Sequence, residues 1–205
     1  MTTSTTVNPL FIEQNSQTLA ARYDALAKTY DQQSQDYVGR EQTADLLMKY
    51  VDKQACILDA GCGTGLVGQY LNTKGFIGLE GLDISAGMLA EAEAKQCYQA
   101  LSQQTLGEPL TFADNTFDAI ICIGTFVRSH APSRTLDEFI RITRSGGYIL
   151  FTLRPEFYES SDFKEKITDL ERQNQWKRVE ITDPFPSVST ENVTVYIQIW
   201  VYQVE

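Results

Sequence analysis

The sequence predicts a single α/β domain built on a mostly parallel sheet, and three observations carry that prediction. First, a short apolar run, Cys56 to Leu58, ends in an acid, Asp59; glycines follow at alternate positions, Gly61, Gly63 and Gly65, and then a helix-compatible stretch, Leu66 to Leu71. This is a strand, a glycine turn and a helix start, and ligands bind beside such turns at the carboxyl ends of parallel strands. Second, Ile77 to Asp83 reads as another strand ending in an acid, with Ser85 capping a helix that runs through Met88, Leu89 and Ala92. Third, Phe117 to Phe126 and Tyr148 to Phe151 are apolar runs of the kind that strands buried on both faces show. At 205 residues one sizeable core is the default.

The remaining elements follow in order. Residues 1–15 read as a flexible tail, partly docked by Leu10, Phe11 and Ile12, and residues 16–205 as one domain whose first part, 16–53, is a helical cover. Residues 17–33 place Leu19, Tyr23, Leu26, Ala27 and Tyr30 on one helical face, and 39–52 turn Ala44, Leu47 and Val51 inward. Strand and helix then alternate from 56 to about 154, with Gly146 and Gly147 read as a helix stop before the fifth strand. A helix is expected between Asp162 and Gln173, and two strands near 176–182 and 193–204, rich in β-branched and aromatic residues. Asp183-Pro-Phe-Pro-Ser187 reads as a turn or loop. With the N-terminal helices, loops 126–134, 154–162 and 183–191 are the expected covers of a site.

Composition narrows the function. A net charge of -10 and a pI near 4.6 disfavour nucleic acid, which calls for a basic stripe, and anionic membrane surfaces for the same reason. No signal pattern opens the chain and no apolar run is long enough to span a bilayer, so cytoplasmic residence is expected. Cys56, Cys62, Cys97 and Cys122 form no C-x-x-C pair, and His130 is the only histidine, so no metal site is expected.

The glycine turn alone does not name its ligand. Gly63, Gly65 and Gly68 also satisfy the dinucleotide spacing G-x-G-x-x-G. Against that reading, Asp59 precedes the glycines at the strand end, where a dinucleotide turn usually has no acid. The helix start offers free N–H groups and a positive dipole end, which suit an anionic group.

Four blocks in order, Leu58-Asp-Ala-Gly-Cys-Gly-Thr-Gly65, Gly81-Leu-Asp-Ile-Ser-Ala-Gly-Met88, Phe117-Asp-Ala-Ile-Ile121 and Gly146-Gly-Tyr-Ile-Leu150, make the chain resemble the class I S-adenosylmethionine-dependent methyltransferases. The nearest likeness is to the small type 11/12 subgroup and the methyltransferase-like proteins of the Williams–Beuren region. The resemblance implies a three-layer sandwich with a seven-stranded sheet in order 3-2-1-4-5-7-6, strand 7 antiparallel. It implies that Gly61, Gly63 and Gly65 meet the cofactor's amino-acid part, with Asp59 also among the cofactor-binding residues, that Asp83 holds the ribose, and that Ile84 and Met88 flank the adenine. Ile123, Gly124 and Thr125 would line the pocket after the fourth strand, and Tyr23 and Tyr30 resemble an entry segment that folds over the cofactor. Tyr37 and Arg40 sit where either reaches the cofactor carboxylate. The family's adenine-binding acid after the third strand has no counterpart: Gln104 or Thr105 stands there, followed by Leu106.

The expected function is methyl transfer from S-adenosylmethionine to a small-molecule acceptor. His130 is the candidate base, and Arg128 the grip on an acidic acceptor. Two other readings stay open: a cofactor- or partner-binding relative without catalysis, and a nicotinamide-dependent oxidoreductase. The latter usually carries a Tyr-x-x-x-Lys or a separate substrate domain, and neither is present.

Overall fold

A computed structural model describes residues 15–189 and 194–205. Two helices come first, α1 (Ser16–Gln33) and α2 (Gly39–Leu47). Asn15 opens α1 by accepting from Thr18 N. Strands and helices then alternate through β1 (Ile57–Ala60), α3 (Leu66–Thr73), β2 (Leu79–Asp83), α4 (Ala86–Ala94), β3 (Ala100–Gln103), β4 (Phe117–Cys122), α5 (Thr135–Ile142) and β5 (Thr143–Leu153). The chain closes with α6 (Pro155–Ser160), α7 (Phe163–Arg172), β6 (Trp176–Ile181), β7 (Phe185–Ser189) and β8 (Thr194–Val204).

The sheet runs β3-β2-β1-β4-β5-β8-β6. Its first five strands are parallel, and β8 is antiparallel to both β5 and β6. This is the expected order with β8 in the seventh strand's place; β7 is an eighth strand that pairs with β8 alone. Successive strand residues face opposite layers. Leu58, Ile120, Ile149 and Phe151 pack with Phe139 of α5 and Phe163 of α7 on one side. Ile57, Ile121 and Leu150 pack with Leu47 of α2 and Leu71 of α3 on the other. Among the described residues no helix is long and apolar enough to cross a membrane.

Five expectations are corrected. Asp183-Pro-Phe-Pro-Ser187 is not all loop, since β7 begins at Phe185; Pro186 is tolerated because β7 is an edge strand, and buried Ser187 donates to Val195 O. The loop 154–162 holds α6, with Pro155 at its first turn. Gly146 and Gly147 are not a helix stop: α5 ends at Ile142, and both glycines lie inside β5 where its register with β4 slips. A Cβ on Gly147 would fall 2.8 Å from Asp118 O, so the bulge needs glycine there. The second strand starts at Leu79, leaving Ile77 exposed, and the second helix ends at Leu47 rather than at 52. Leu10, Phe11 and Ile12 lie outside the described residues.

Candidate functional site

The carboxyl ends of β1, β2 and β4 meet where the sheet order turns, and the glycine turn after β1 sits there. Gly61, Gly63 and Gly65 all have positive φ, +78°, +53° and +86°. Their reasons for being glycine differ. At Gly61 a Cβ would strike Thr125 Oγ1 at 2.5 Å, so this glycine lets the loop after β4 close against the turn. At Gly63 a Cβ would meet nothing within 4 Å, so the backbone there faces open space. Gly63 N donates to Asp83 Oδ2 at 2.9 Å, and Ser85 N donates to Oδ1 at 2.9 Å. Burial raises the pKa of the Asp83 carboxyl, and these backbone bonds oppose the rise. Ile84 beside it is half-buried, while Met88 is buried in the core.

Asp59 lies behind the turn. Its carboxylate is 2% exposed and accepts from Tyr98 Oη at 2.6 Å. Burial pushes its pKa up to about 7 against that bond, and the charge of Asp83 adds to the rise. Tyr98 escaped the sequence reading, yet it organises this region. Its hydroxyl accepts from Gly68 N at 3.1 Å, and a Cβ on Gly68 would overlap its ring at 2.2 Å. The third glycine of the apparent dinucleotide spacing therefore makes room for a tyrosine. The α3 start is also less open to an anion than expected, since Gly68 N is bonded and Thr64 Oγ1 donates to Asp31.

After β3, the Gln104 side chain is fully engaged: Nε2 donates to Ser102 Oγ and Oε1 accepts from Thr111 N. Thr105 is half-buried and Leu106 packs against the core. Gln104 thus fixes the following loop instead of presenting a free acceptor.

Helix α1 is strapped across the site at three points. Asp24 accepts from Ser85 Oγ at 2.6 Å and from Gly87 N at 2.8 Å at the start of α4, which lowers the Asp24 pKa. Asp31 takes the Thr64 bond and pairs with Lys95 at 2.9 Å. Next to Asp24 on the helix, Tyr23 Oη lies 2.9 Å from His130 Nε2, and the Tyr23 ring packs edge-on to Tyr30 at 6.2 Å. His130 Nδ1 is 3.0 Å from Arg128 O. A carbonyl only accepts, so Nδ1 carries the hydrogen, and Nε2 of the neutral ring accepts from Tyr23. Burial lowers the His130 pKa, which keeps the ring neutral at pH 7. The Arg128 side chain is exposed, and the structure brings only its carbonyl to His130.

Beyond β4, Ile123 is half-buried, and Gly124 N donates to Thr152 Oγ1 of β5 at 2.8 Å. Tyr37 reaches in from the turn between α1 and α2, its hydroxyl near Gly124, with the Arg40 guanidinium 5.5 Å from its ring centre. No group of three or more possible metal ligands occurs among the described residues.

Comparison with known proteins agrees with this geometry. A family model described as a methyltransferase domain matches residues 58–151. The human methyltransferase-like protein 27 is 35% identical over 165 residues, covering 76% of this chain and 66% of that protein. A malonyl-[acyl-carrier protein] O-methyltransferase of Hamiltonella defensa is 35% identical over 150 residues, covering 69% of this chain and 54% of that one. The chain thus spans between half and two thirds of these relatives' lengths. The crystal structure of a magnesium protoporphyrin IX methyltransferase from Synechocystis, with S-adenosylmethionine bound, superimposes with a TM-score of 0.65 at 20% identity, covering 97% of this chain and 100% of that one. Sheet order, glycine turn, strand-end acid and these matches agree, and the chain belongs to the class I S-adenosylmethionine-dependent methyltransferase family.

Proposed function

We propose that the protein binds S-adenosylmethionine across the carboxyl ends of β1, β2 and β4 and transfers its methyl group to a small acceptor beside β4 and β5. The family uses this cofactor, and the observation that supports it here is the pair Gly63 and Asp83. The turn leaves open the space that a Cβ would fill, and the strand-end carboxylate borders it with lone pairs to spare beyond its two backbone bonds. Asp83 would hold the ribose hydroxyls, Ile84 would flank the adenine, and Gly61, Gly63 and Thr125 would face the amino-acid part.

When bound, the sulfonium supplies an already activated methyl group, so the protein's task is alignment and exclusion of water. Helix α1, strapped by Asp24, Tyr23 and Asp31, is the cover that excludes water. Tyr23 and Tyr30, packed edge-on to each other, would offer aromatic faces to the sulfonium, and such faces attract a cation. For an acceptor that must lose a proton, Tyr23 Oη would take that proton in concert with passing its own to His130 Nε2, because burial raises the phenol's pKa and disfavours a free phenolate. The net charge of -10 supports a small molecule over nucleic acid. Four free cysteines suit a reducing, cytoplasmic setting.

Calorimetric titration with S-adenosylhomocysteine and with NADH tests the cofactor, and methyl transfer from labelled S-adenosylmethionine to a metabolite extract, bulk RNA or protein tests the reaction. Asp83→Ala should weaken S-adenosylhomocysteine binding by about 1.5–3 kcal/mol while the fold survives. Unchanged affinity would remove Asp83 from the site. Cofactor binding without transfer to any pool would leave a binding protein.

A further inference from the structure

The end of the site away from the glycine turn holds buried hydroxyls for which the fold supplies no well-aligned partner. Both Ser34 Oγ and Tyr37 Oη are buried without a hydrogen-bond partner among the described residues. An unpaired buried hydroxyl costs about 1–3 kcal/mol, and two in one turn call for a reason. They lie in the connection between α1 and α2, which docks on the β7–β8 hairpin: Val38 N donates to Ser187 O at 3.1 Å, and a Cβ on Gly39 would meet Ile197 Cδ1 at 2.7 Å. The Tyr37 hydroxyl is thereby held over the ends of β4 and β5, near Gly124 and Thr152, whose Oγ1 already accepts from Gly124 N.

Charge converges on the same spot. Arg40 lies against the Tyr37 ring and is braced by a 2.7 Å bond from Nη2 to Ser34 O. Arg154 is the first residue after β5, half-buried, with extended backbone leading into α6. Burial pushes the pKa of the Tyr37 hydroxyl up to about 12, and the neighbouring Thr152 hydroxyl, followed by the Arg40 and Arg154 guanidiniums, acts against that rise. Two cations converging on a buried hydroxyl stand out in a chain of net charge -10.

Position separates this cluster from the cofactor's place. Asp83 and Ile84 put ribose and adenine at β2, so the methyl end points toward β4. β5 lies two strands beyond β1, roughly 10 Å along the sheet. We infer that Arg154, Tyr37 and Arg40 form a carboxylate-binding pocket for the acceptor, so that the methyl acceptor is an acid. This rests on the methyltransferase reading of the site. Arg154 would donate a planar pair of N–H groups, Tyr37 would donate its hydroxyl, which lies beside Thr152, and Arg40 would add the second charge. The acid grip expected of Arg128 falls to Arg154.

The test is titration of the protein saturated with S-adenosylhomocysteine, using malonate and its neutral isostere malonamide as probes. Malonate should bind and malonamide should not. Arg154→Gln and Tyr37→Phe should each weaken malonate at least about tenfold, Arg154→Lys should recover part of the loss, and affinity for S-adenosylhomocysteine should stay within about threefold. Equal binding of the two probes, or malonate binding indifferent to Arg154→Gln, overturns the pocket. So does a tenfold loss of S-adenosylhomocysteine affinity in Arg154→Gln with 5′-methylthioadenosine binding unchanged, because the cluster would then serve the cofactor's own carboxylate. If the wild type binds no S-adenosylhomocysteine, the cofactor reading fails by itself, and the malonate contrast on the nucleoside-free protein still decides the pocket.

Discussion

The two ends of the site are built on opposite principles. At the β1–β2 end the polar groups already have protein partners: Gly63 N and Ser85 N on Asp83, Tyr98 on Asp59 and Gly68. At the β4–β5 end the Tyr37 and Ser34 hydroxyls have no well-aligned partner among the described residues, and the Arg40 and Arg154 guanidiniums act on the Tyr37 hydroxyl. The first end is a preorganised frame whose bonds are made before any ligand arrives. The second carries unmet hydrogen-bonding capacity, which a ligand can satisfy. A frame tolerates no change of shape, while an unmet group tolerates change in proportion to what it would bind.

The largest effect should therefore come from the frame. Gly63→Val puts a β-branched side chain at φ +53° into the open space before the turn. Backbone strain of about 1–2 kcal/mol should lower thermal stability. Binding of S-adenosylhomocysteine should fall at least about a hundredfold, roughly 2.8 kcal/mol. Affinity within threefold of wild type would show that the turn does not face the ligand.

At the other end, His130→Ala should lower turnover by about a hundredfold with cofactor affinity unchanged, provided the acceptor must lose a proton. Tyr23→Phe should do nearly the same, because the phenol stands between acceptor and imidazole. The pH profile adds a sign. Burial depresses the His130 pKa, so the base is unprotonated at neutral pH, and rate should fall only as pH drops through that depressed value. Stability should follow the same sense, because below about pH 6.5 the unfolded histidine binds a proton that the folded one refuses. Wild-type turnover in His130→Ala from pH 6 to 9 would leave alignment and desolvation as the only catalytic devices.

A smaller loss is expected at Tyr98. Tyr98→Phe keeps the ring that fills the space beside Gly65 and Gly68 but strips Asp59 and Gly68 N of their shared partner. Stability should drop by about 1–3 kcal/mol in denaturant melts. No change would mean that water takes over both bonds.

The contrast also explains what the sequence showed. The frame was legible because its parts are local: three glycines within five residues, an acid at each of two strand ends, a serine cap two residues after the second. Tyr98 was hidden because nothing in its neighbourhood marks a tyrosine that reaches back thirty residues to Gly68. At the β4–β5 end Tyr37 and Arg40 were legible as groups for the cofactor carboxylate, but their meeting with Thr152 and Arg154 was hidden for a related reason. Tyr37, Thr152, Arg154 and Ile197 come from separate elements and meet only once β7 folds against β8, and Pro186 made that strand read as a loop. His130 was found because it is unique in the chain, but its bond to Tyr23 joins residues 107 positions apart, and no spacing rule reaches that far.

The last and smallest expectation concerns which acid belongs to the ligand. Both Asp59 and Asp83 end strands beside the glycine turn, but only Asp83 borders the open space. Asp59, 2% exposed, has a folded pKa of about 7, above its unfolded value near 4. Between those values the folded state holds a proton that the unfolded state has released. Stability from this group is therefore fully present below about pH 4 and is lost as pH rises through 7. Asp59→Asn removes the titration while keeping an oxygen for Tyr98 Oη. The variant should gain on the order of 1–2 kcal/mol over wild type at pH 8, and the gain should shrink toward zero near pH 4. Taking the difference between the two proteins cancels the opposite acid loss from Asp24 and Glu138, whose pKa values are lowered in both. Cofactor affinity should stay within about threefold, against the tenfold or greater loss expected in Asp83→Ala. A loss in Asp59→Asn as large as in Asp83→Ala would mean that the buried acid reaches the ligand after all, and that the Tyr98 bond opens when the cofactor binds.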